Sequence, residues 1–388
     1  MSEKFYLADE KEILEGITTD VYFLRTEEIL KKRGINPRVV AEVSTTSQTW
    51  GILCGVQEVL NLMEGKNVNI YGMDDGCFFR GGEPVMVIEG NYLDFCVYET
   101  AILGFLCHAS GIATKTARMK LYAGESKILS FGTRRLHPAI APFIEKCAYI
   151  GGADGFSNVS AERFLNMKSA GTMPHALIIC MGDQKEAWKA FDEIISEDVP
   201  RILLCDTYYD EKTEVIMALE TLGERVQAIR IDTPKSRRGD IRSILSEIRW
   251  EMQLRGFENV KIVLSGGVEE EDVKKLRDLV DIFGIGTSIA SAPPIDFALD
   301  IVEVEGKPSA KRGKKGGRKQ LYRNMETLED FVLPYGRAPP EGTEEMLKPL
   351  MIEGEILRPQ RIEEARERAL SYIRKLSELE PSVQGTLR

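Results

Sequence analysis

An α/β fold built on a parallel sheet is predicted by two observations between residues 113 and 290. Short apolar runs recur at 128–131, 149–151, near Gly171, and at 202–205, 228–231, 262–264 and 282–285. Helical stripes separate several of them. Ile241, Ile244, Leu245, Ile248 and Met252 share one helix face, as do Val215, Ile216, Leu219 and Leu222, and Val273, Leu276 and Val280. Strands alternating with helices imply a parallel sheet with the helices packed outside it. Seven strand candidates over this length suit a barrel of the (β/α) type better than an open sheet. In such barrels chemistry gathers at the carboxyl ends of the strands.

The flanking regions read differently. Thr18-Thr-Asp20 precedes a helix that starts near Val21 and is stopped by Gly34. Short β-rich pieces follow at 39–43, 68–71 and 85–88, the last bounded by Gly81, Gly82 and Gly90. A helix over 93–109 carries apolar residues on several faces and is expected to be buried. After Pro293-Pro294 the run 297–304 is strand-like, residues 332–341 read as loop, and 362–379 as a charged terminal helix. No internal repeat is evident.

Composition excludes several classes. The chain has 388 residues, 43% hydrophobic and 29% charged, with a net charge of −10. It has the material for two or three domains, and its charge argues against general nucleic-acid or anionic-membrane binding. Its seven cysteines form no C-x-x-C pair, so they read as buried thiols of a reducing compartment. No basic leader with an apolar core opens the chain, and no apolar run reaches membrane-spanning length, so a cytoplasmic protein is expected.

Residues able to do chemistry cluster at the strand ends. His175, one of three histidines, closes Ser169-Ala-Gly-Thr-Met-Pro-His175. Ser265-Gly-Gly267 follows one strand and precedes a helix, and Gly284-Ile-Gly-Thr-Ser288 repeats that layout at the next. Glycine lets an anion approach free backbone N–H groups, and adjacent late loops are where such barrels hold phosphate. No G-x-x-x-x-G-K-[ST] is present, so a P-loop is not used. Arg134, Arg135 and Arg230 offer guanidinium forks for carboxylate or phosphate. Phe131 and Tyr22 offer flat faces for a planar ring. Asp154, Asp206 and Asp232 each end a strand candidate, where a carboxylate can hold ribose hydroxyls, hold Mg²⁺, or cap the next helix.

On Thr19-Asp-Val-Tyr22, Ser130-Phe-Gly-Thr-Arg-Arg135, Ala170-Gly-Thr-Met-Pro-His175, Arg230-Ile-Asp-Thr233, Ser265-Gly-Gly267 and Gly286-Thr287, the chain resembles the nicotinate phosphoribosyltransferases, particularly the shorter archaeal type. The resemblance implies an incomplete (β/α) barrel (113–290) beside an α/β sandwich formed by 1–112 and completed by 291–320, with a C-terminal extension over 321–388. It implies transfer of the phosphoribosyl group of 5-phosphoribosyl 1-pyrophosphate to nicotinate, in NAD biosynthesis, coupled to ATP and assisted by Mg²⁺. Phe131 would stack on the pyridine, with Tyr22 of a partner subunit opposite, so at least a dimer is implied. Arg134, Asp154, Thr172 and Arg230 would contact nicotinate or ribose, and Asp232 the ribose hydroxyls. Ser265, Gly266, Gly267, Gly286 and Thr287 would hold the 5′-phosphate, and His175 would be phosphorylated by ATP. Some archaeal relatives carry paired tail cysteines, but none follows Cys205 here, so no structural metal is expected and metal ligands stay unassigned.

Two alternatives stand beside this reading. Quinolinate or nicotinamide phosphoribosyltransferases share the architecture; quinolinate needs more cationic side chains because it carries a second carboxylate. A nucleic-acid-binding protein would use residues 307–319, which hold seven basic residues in thirteen but no interleaved aromatics.

Overall fold

The computed structural model describes residues 4–46 and 50–383. The chain divides into two compact units, Met1–Thr114 with Pro293–Arg388, and Lys115–Ala292. The first begins with helices α1 (Glu10–Leu14) and α2 (Val21–Arg33); Gly34, the expected stop, ends α2 in the left-handed conformation. Strands β1 (Arg38–Thr45), β2 (Trp50–Ile52), β3 (Val68–Gly72), β4 (Phe78–Arg80) and β5 (Pro84–Asn91) follow, with α3 (Val56–Met63) between β2 and β3. Helix α4 (Glu99–Ala123) begins later and runs further than the expected 93–109; short turns occupy 92–98, and the unit boundary falls inside it. Residues Cys96–Ala123 are long and apolar enough to cross a membrane by length and composition alone. The helix is nonetheless lined by fully buried Ile102, Leu106, Ala109, Ile112, Ala113, Ala117 and Met119, the pattern of a core helix.

The second unit carries β6 (Lys127–Ser130), α5 (Ala141–Ile150), β7 (Gly155–Phe156), α6 (Glu162–Leu165), α7 (His175–Met181), α8 (Gln184–Ile194) and β8 (Ile202–Leu204). It continues with α9 (Glu211–Leu222), β9 (Ala228–Ile231), α10 (Ile241–Leu254), β10 (Lys261–Leu264), α11 (Glu270–Leu276), β11 (Ile282–Ile285) and α12 (Thr287–Ala290). All neighbours in its six-stranded sheet pair in parallel, in the order β7-β6-β11-β10-β9-β8. The first strand thus joins the last, as in a closed barrel, while the sheet stays open between β7 and β8. It is a half-barrel.

Two of the seven strand candidates are not strands. Residues 149–151 end α5, whose buried Ala141, Ile144, Cys147, Ala148 and Ile150 give it a helical period that a short apolar window hides. Gly171 lies in loop, and the true second strand is the two-residue β7. Of the helix stripes, Leu245, Ile248 and Met252 of α10 and Val215, Leu219 and Leu222 of α9 are buried as expected.

The chain then returns to the first unit through β12 (Phe297–Val304), β13 (Lys307–Pro308), β14 (Lys319–Arg323), β15 (Asp330–Pro334), β16 (Glu344–Glu345), β17 (Lys348–Ile352), β18 (Glu355–Ile356) and α13 (Ile362–Val383). Seven strands form an antiparallel sheet in the order β13-β12-β1-β5-β3-β17-β18. Residues 321–388 are therefore not a separate extension, because β17 pairs with β3. The expected loop 332–341 starts inside β15.

Four of the seven basic residues of 307–319 are paired inside their own unit. Lys311 and Lys314 reach Asp300 at 2.6 and 2.8 Å, and Lys319 reaches Glu42 at 2.8 Å. Arg318 pairs with Glu89 and lies over the rings of Tyr71 and Tyr335. Lys307, Arg312 and Lys315 are exposed and make no ion pair among the described residues, so the pairing weakens the support for a nucleic-acid reading without removing it.

Candidate active site

Four adjacent strands of the half-barrel end around one cavity of about 640 Å³. The end of β6 supplies Phe131, Arg134 and Arg135, and β9 leads to Arg230, Asp232, Lys235 and Ser236. The loop after β10 supplies Ser265, Gly266, Gly267, Val268 and Glu269, and β11 supplies Gly284, Gly286, Thr287 and Ser288. His175, first residue of α7, completes the lining.

Arg230 is held before any ligand arrives. Its Nε donates to Ser265 Oγ at 2.9 Å and Nη1 to Thr172 Oγ1 at 2.8 Å, while Nη2 lies 3.2 Å from Asp232 Oδ1. Its guanidinium sits 5.8 Å from the centre of the Phe131 ring. Ser265 Oγ donates in turn to Asp232 Oδ1 at 2.6 Å. Thr172, outside the cavity lining, therefore acts through Arg230.

The histidine faces two carboxylates. His175 Nε2 lies 3.6 Å from Asp232 Oδ2 and 3.8 Å from Asp206 Oδ1, and Nδ1 is 3.0 Å from Thr207 Oγ1. Asp232 is the main cause of an imidazole pKa raised above its ordinary value; burial opposes the shift and Asp206 adds to it. Burial is the largest influence on Asp232 and pushes its carboxyl up. His175, Arg230 and Ser265 outweigh it and bring the value down to about 2. Asp206 is raised, chiefly by burial. Its Oδ2 accepts from Asp232 N–H and Thr233 Oγ1, both at 2.7 Å, while its buried Oδ1 has no hydrogen bond among the described residues.

The loops after β10 and β11 line the same cavity with a backbone cradle that could receive an anion. Gly266 and Gly267 have φ of +86° and +75°, and a Cβ on Gly266 would fall 2.4 Å from the Asp232 carbonyl oxygen. The backbone N–H groups of Gly266, Gly267, Val268 and Thr287 make no hydrogen bond among the described residues. The helices that follow, α11 and α12, have seven and four residues, so the N–H groups themselves rather than a helix dipole make the cradle.

Most predicted residues meet here: Phe131, Arg134, His175, Arg230, Asp232, Ser265, Gly266, Gly267, Gly286 and Thr287. Asp154 does not. It precedes β7 at the opposite end of the sheet, where it accepts from Lys120 Nζ and Ile128 N–H, both at 2.8 Å, and fixes the start of β6. Its carboxylate is occupied by structure. Tyr22 belongs to the first unit, exposed at the start of α2, with its hydroxyl 3.4 Å from Asp20 Oδ2. Sequence reasoning did not assign Lys235, Thr207 or the Glu269–Ser288 pair, joined at 2.5 Å. Position after a strand end was the only signal for any of them.

The fold and the site define a class: half-barrel proteins whose strand ends gather arginines, free backbone N–H groups, a histidine and an aspartate around one cavity. The C-terminal domain of quinolinate phosphoribosyl transferase matches residues 112–300, and its N-terminal domain matches 20–110. Nicotinate phosphoribosyltransferase pncB1 of Mycobacterium tuberculosis is 31% identical over 291 residues, covering 70% of this chain and 63% of that protein. The Bacillus subtilis nicotinate phosphoribosyltransferase is 28% identical, covering 68% and 58%. The chain thus spans less than two thirds of the length of these curated relatives. Nicotinate-nucleotide pyrophosphorylase from Pyrococcus furiosus superposes with a TM-score of 0.93 at 52% identity, over 96% of this chain and 98% of that one. Human nicotinic acid phosphoribosyltransferase superposes with a TM-score of 0.73 at 19% identity, a likeness of fold. The chain belongs to the quinolinate and nicotinate phosphoribosyltransferase family.

Proposed function

We propose that this chain transfers the phosphoribosyl group of 5-phosphoribosyl 1-pyrophosphate to nicotinate, giving nicotinate mononucleotide and pyrophosphate, a step of NAD biosynthesis. The observation that carries this is the set of free N–H groups at Gly266, Gly267, Val268 and Thr287, placed in one cavity with Phe131, Arg230 and Asp232. The 5′-phosphate fits the cradle, the ribose hydroxyls fit Asp232, and the pyridine fits the Phe131 face. The names of the relatives agree, since pyrophosphorolysis of nicotinate nucleotide is this reaction reversed.

The mechanism follows from what each group can do. Nicotinate nitrogen attacks the anomeric carbon as the bond to pyrophosphate breaks, so positive charge develops on the sugar and negative charge on the leaving group. Arg134 and Arg135 make no ion pair among the described residues and are free to meet that negative charge. Arg230, already fixed on three sides, needs no reorganisation. Holding both reactants in register supplies about 7–11 kcal/mol of such a barrier. Mg²⁺ needs only one or two carboxylates beside substrate phosphates, and Asp232, the carboxylate of this pair that lines the cavity, would hold it; Asp206 lies outside the lining. Bound there, it would neutralise pyrophosphate.

ATP coupling enters through His175. The γ-phosphoryl would pass to a ring nitrogen, a P–N bond forming as the P–O bond to ADP breaks and ADP leaves with the electron pair. The active species is at least a dimer, in which Tyr22 of the partner subunit covers the pyridine. Exposed Leu14, Ile17, Val21, Leu24 and Ile29 beside it give an apolar face for such an interface. All seven cysteines are free, as a cytoplasmic setting requires.

Quinolinate is the second reading, favoured by the name of the family models. Arg230 and Lys235 are already engaged, Lys235 by Asp272 at 2.7 Å, leaving two arginines for pyrophosphate and the pyridine's carboxylate. A second carboxylate would have to share these two arginines with the rest of the substrates. The test is a product assay with each of the two pyridines, phosphoribosyl pyrophosphate and Mg²⁺, with and without ATP, on wild type and His175→Ala. Nicotinate mononucleotide should form, ATP should stimulate it, and the variant should lose the stimulation together with an acid-labile label from γ-labelled ATP. Turnover of quinolinate alone would overturn the substrate, and a label surviving in the variant would overturn the role of His175.

A further inference from the structure

A buried carboxylate stands behind the histidine of the site without touching it. Glu214 lies in the first turn of α9, fully buried beside Val215, Ala218 and Leu219, which anchor that helix in the core. What it holds is backbone. Its Oε2 accepts from Thr207 N–H at 2.9 Å, and its Oε1 accepts from Tyr208 N–H at 2.6 Å and Tyr209 N–H at 2.9 Å. Three consecutive amides of the loop between β8 and α9 thus converge on one carboxylate.

Burying a charge is costly unless hydrogen bonds compensate, and three charge-assisted ones do so here. The anchor is not needed to start the helix. Asp210 already caps α9, accepting from Thr213 N–H at 3.0 Å. The carboxylate therefore fixes the loop itself, and what the loop carries gives it a consequence.

The first two side chains past Cys205 meet His175. Asp206 Oδ1 lies 3.8 Å from the ring Nε2, and Asp232 Oδ2, from the next strand end, lies 3.6 Å from it. Both are longer than a hydrogen bond. Thr207 Oγ1, at 3.0 Å from Nδ1, is the one contact of hydrogen-bond length that the ring makes among the described residues. Little else fixes the imidazole. His175 opens a helix of only seven residues behind Pro174, after the loop 166–174, and its side chain is 38% exposed.

We propose that Thr207 is the positioning residue of His175 and Glu214 is its anchor: the carboxylate fixes the 207–209 backbone, and that backbone holds the threonine hydroxyl where it aims the imidazole into the cavity. A ring kept in one orientation meets a phosphoryl group without searching for it. This consequence for ATP rests on the role proposed above for His175; the orientation of the ring does not.

The test reads the ring directly. Carbon-13 relaxation at the ring Cε1 is measured on the full chain labelled at its three histidines, with the signal of His175 assigned by its loss in His175→Ala. The wild-type ring should be ordered. Thr207→Val keeps the shape and loses the hydroxyl, and Glu214→Gln turns an NH₂ group toward the amides. In both, the order parameter should fall into the flexible range, below about 0.6. Thr207→Ser should restore it. Glu214→Asp, which keeps the charge and loses the reach, serves if the glutamine variant does not fold. Labelling from γ-labelled ATP should slow about fivefold in the valine and glutamine variants, the equivalent of one hydrogen bond, and recover with serine. A ring already mobile in the wild type, a ring equally ordered in the variants, a failed rescue by serine, or labelling at the wild-type rate in Thr207→Val would overturn the proposal. A ring that is ordered in the wild type and loosens in the variants, with no label in any of them, would sink the ATP reading and leave the positioning standing.

Discussion

Gly284 lacks a side chain where Phe131 needs the room. A Cβ there would lie 2.8 Å from both Cδ2 and Cε2 of the ring, nearer than carbons pack. Gly284→Ala should therefore tilt the ring off its seat rather than unfold the strand. Overpacking of this kind costs about 1–3 kcal/mol, so the variant should stay folded while KM for nicotinate rises about tenfold. Steady-state kinetics beside a melting curve separate the two effects; an unchanged KM in a folded variant would show that the ring does not meet the pyridine. The same scale shows why the site was legible in part. Arg230, Asp232 and the paired glycines stand directly at strand ends, so placing the strands places them; His175 opens α7 after a long loop, and no strand end directly precedes it. Asp154 also stood next to a strand candidate, but one wrongly bounded at 149–151. With β7 at Gly155–Phe156, it falls before the strand instead of after it, on the wrong end of the sheet.

At the scale of elements, the half-barrel depends on how α8 is fastened to β8. Arg201, just before β8, is buried and uses all five guanidinium N–H groups. Nε reaches Asp192 Oδ1 at 3.0 Å, Nη1 the carbonyls of Ser196 and Val199, and Nη2 the carbonyls of Asp192 and Ile195. This one side chain satisfies the carbonyls that end α8 and the turn after it, which would otherwise be orphaned. Arg201→Ala should destabilise the protein by about 3–5 kcal/mol in denaturant titration, because it leaves four carbonyls without their donor and the buried Asp192 carboxylate with only the exposed Arg225 as partner. A loss below about 1 kcal/mol would mean that water replaces the guanidinium there. No pattern in the sequence announced this clamp, since an arginine beside Pro200 reads as surface charge. Longer elements were legible because α9 and α10 repeat their apolar residues every 3.6 positions over three turns or more. A two-residue strand such as β7, or the last turn of α5, is shorter than any period that would reveal it.

For the whole molecule, burial of carboxyl groups sets how stability responds to pH. Glu145 and Glu99 are each pushed up to about 7, chiefly by burial. Glu83 is raised by burial and by Asp330 beside it, and Asp206 by burial. His175 is raised by Asp232. In every case the folded protein holds a proton that the unfolded chain releases at lower pH. Their stabilisation is complete below the ordinary carboxylate values, or below 6.5 for the histidine, and is lost as pH climbs through the raised ones. A carboxyl moved from 4.5 to about 7 carries on the order of 3 kcal/mol between its protonation states. Asp232 acts in the opposite sense: brought down to about 2, it stabilises above its ordinary 3.8 and loses that contribution as pH falls toward 2. The two trends leave maximal stability near pH 5, below neutrality. Calorimetric melting at constant ionic strength should show a fall of about 5 °C between pH 5 and 8.5. Glu145→Gln should flatten part of that slope, because glutamine has no proton to lose. A melting temperature that stays level or rises over this interval would mean that these carboxyls ionise in the folded protein as freely as in the unfolded chain.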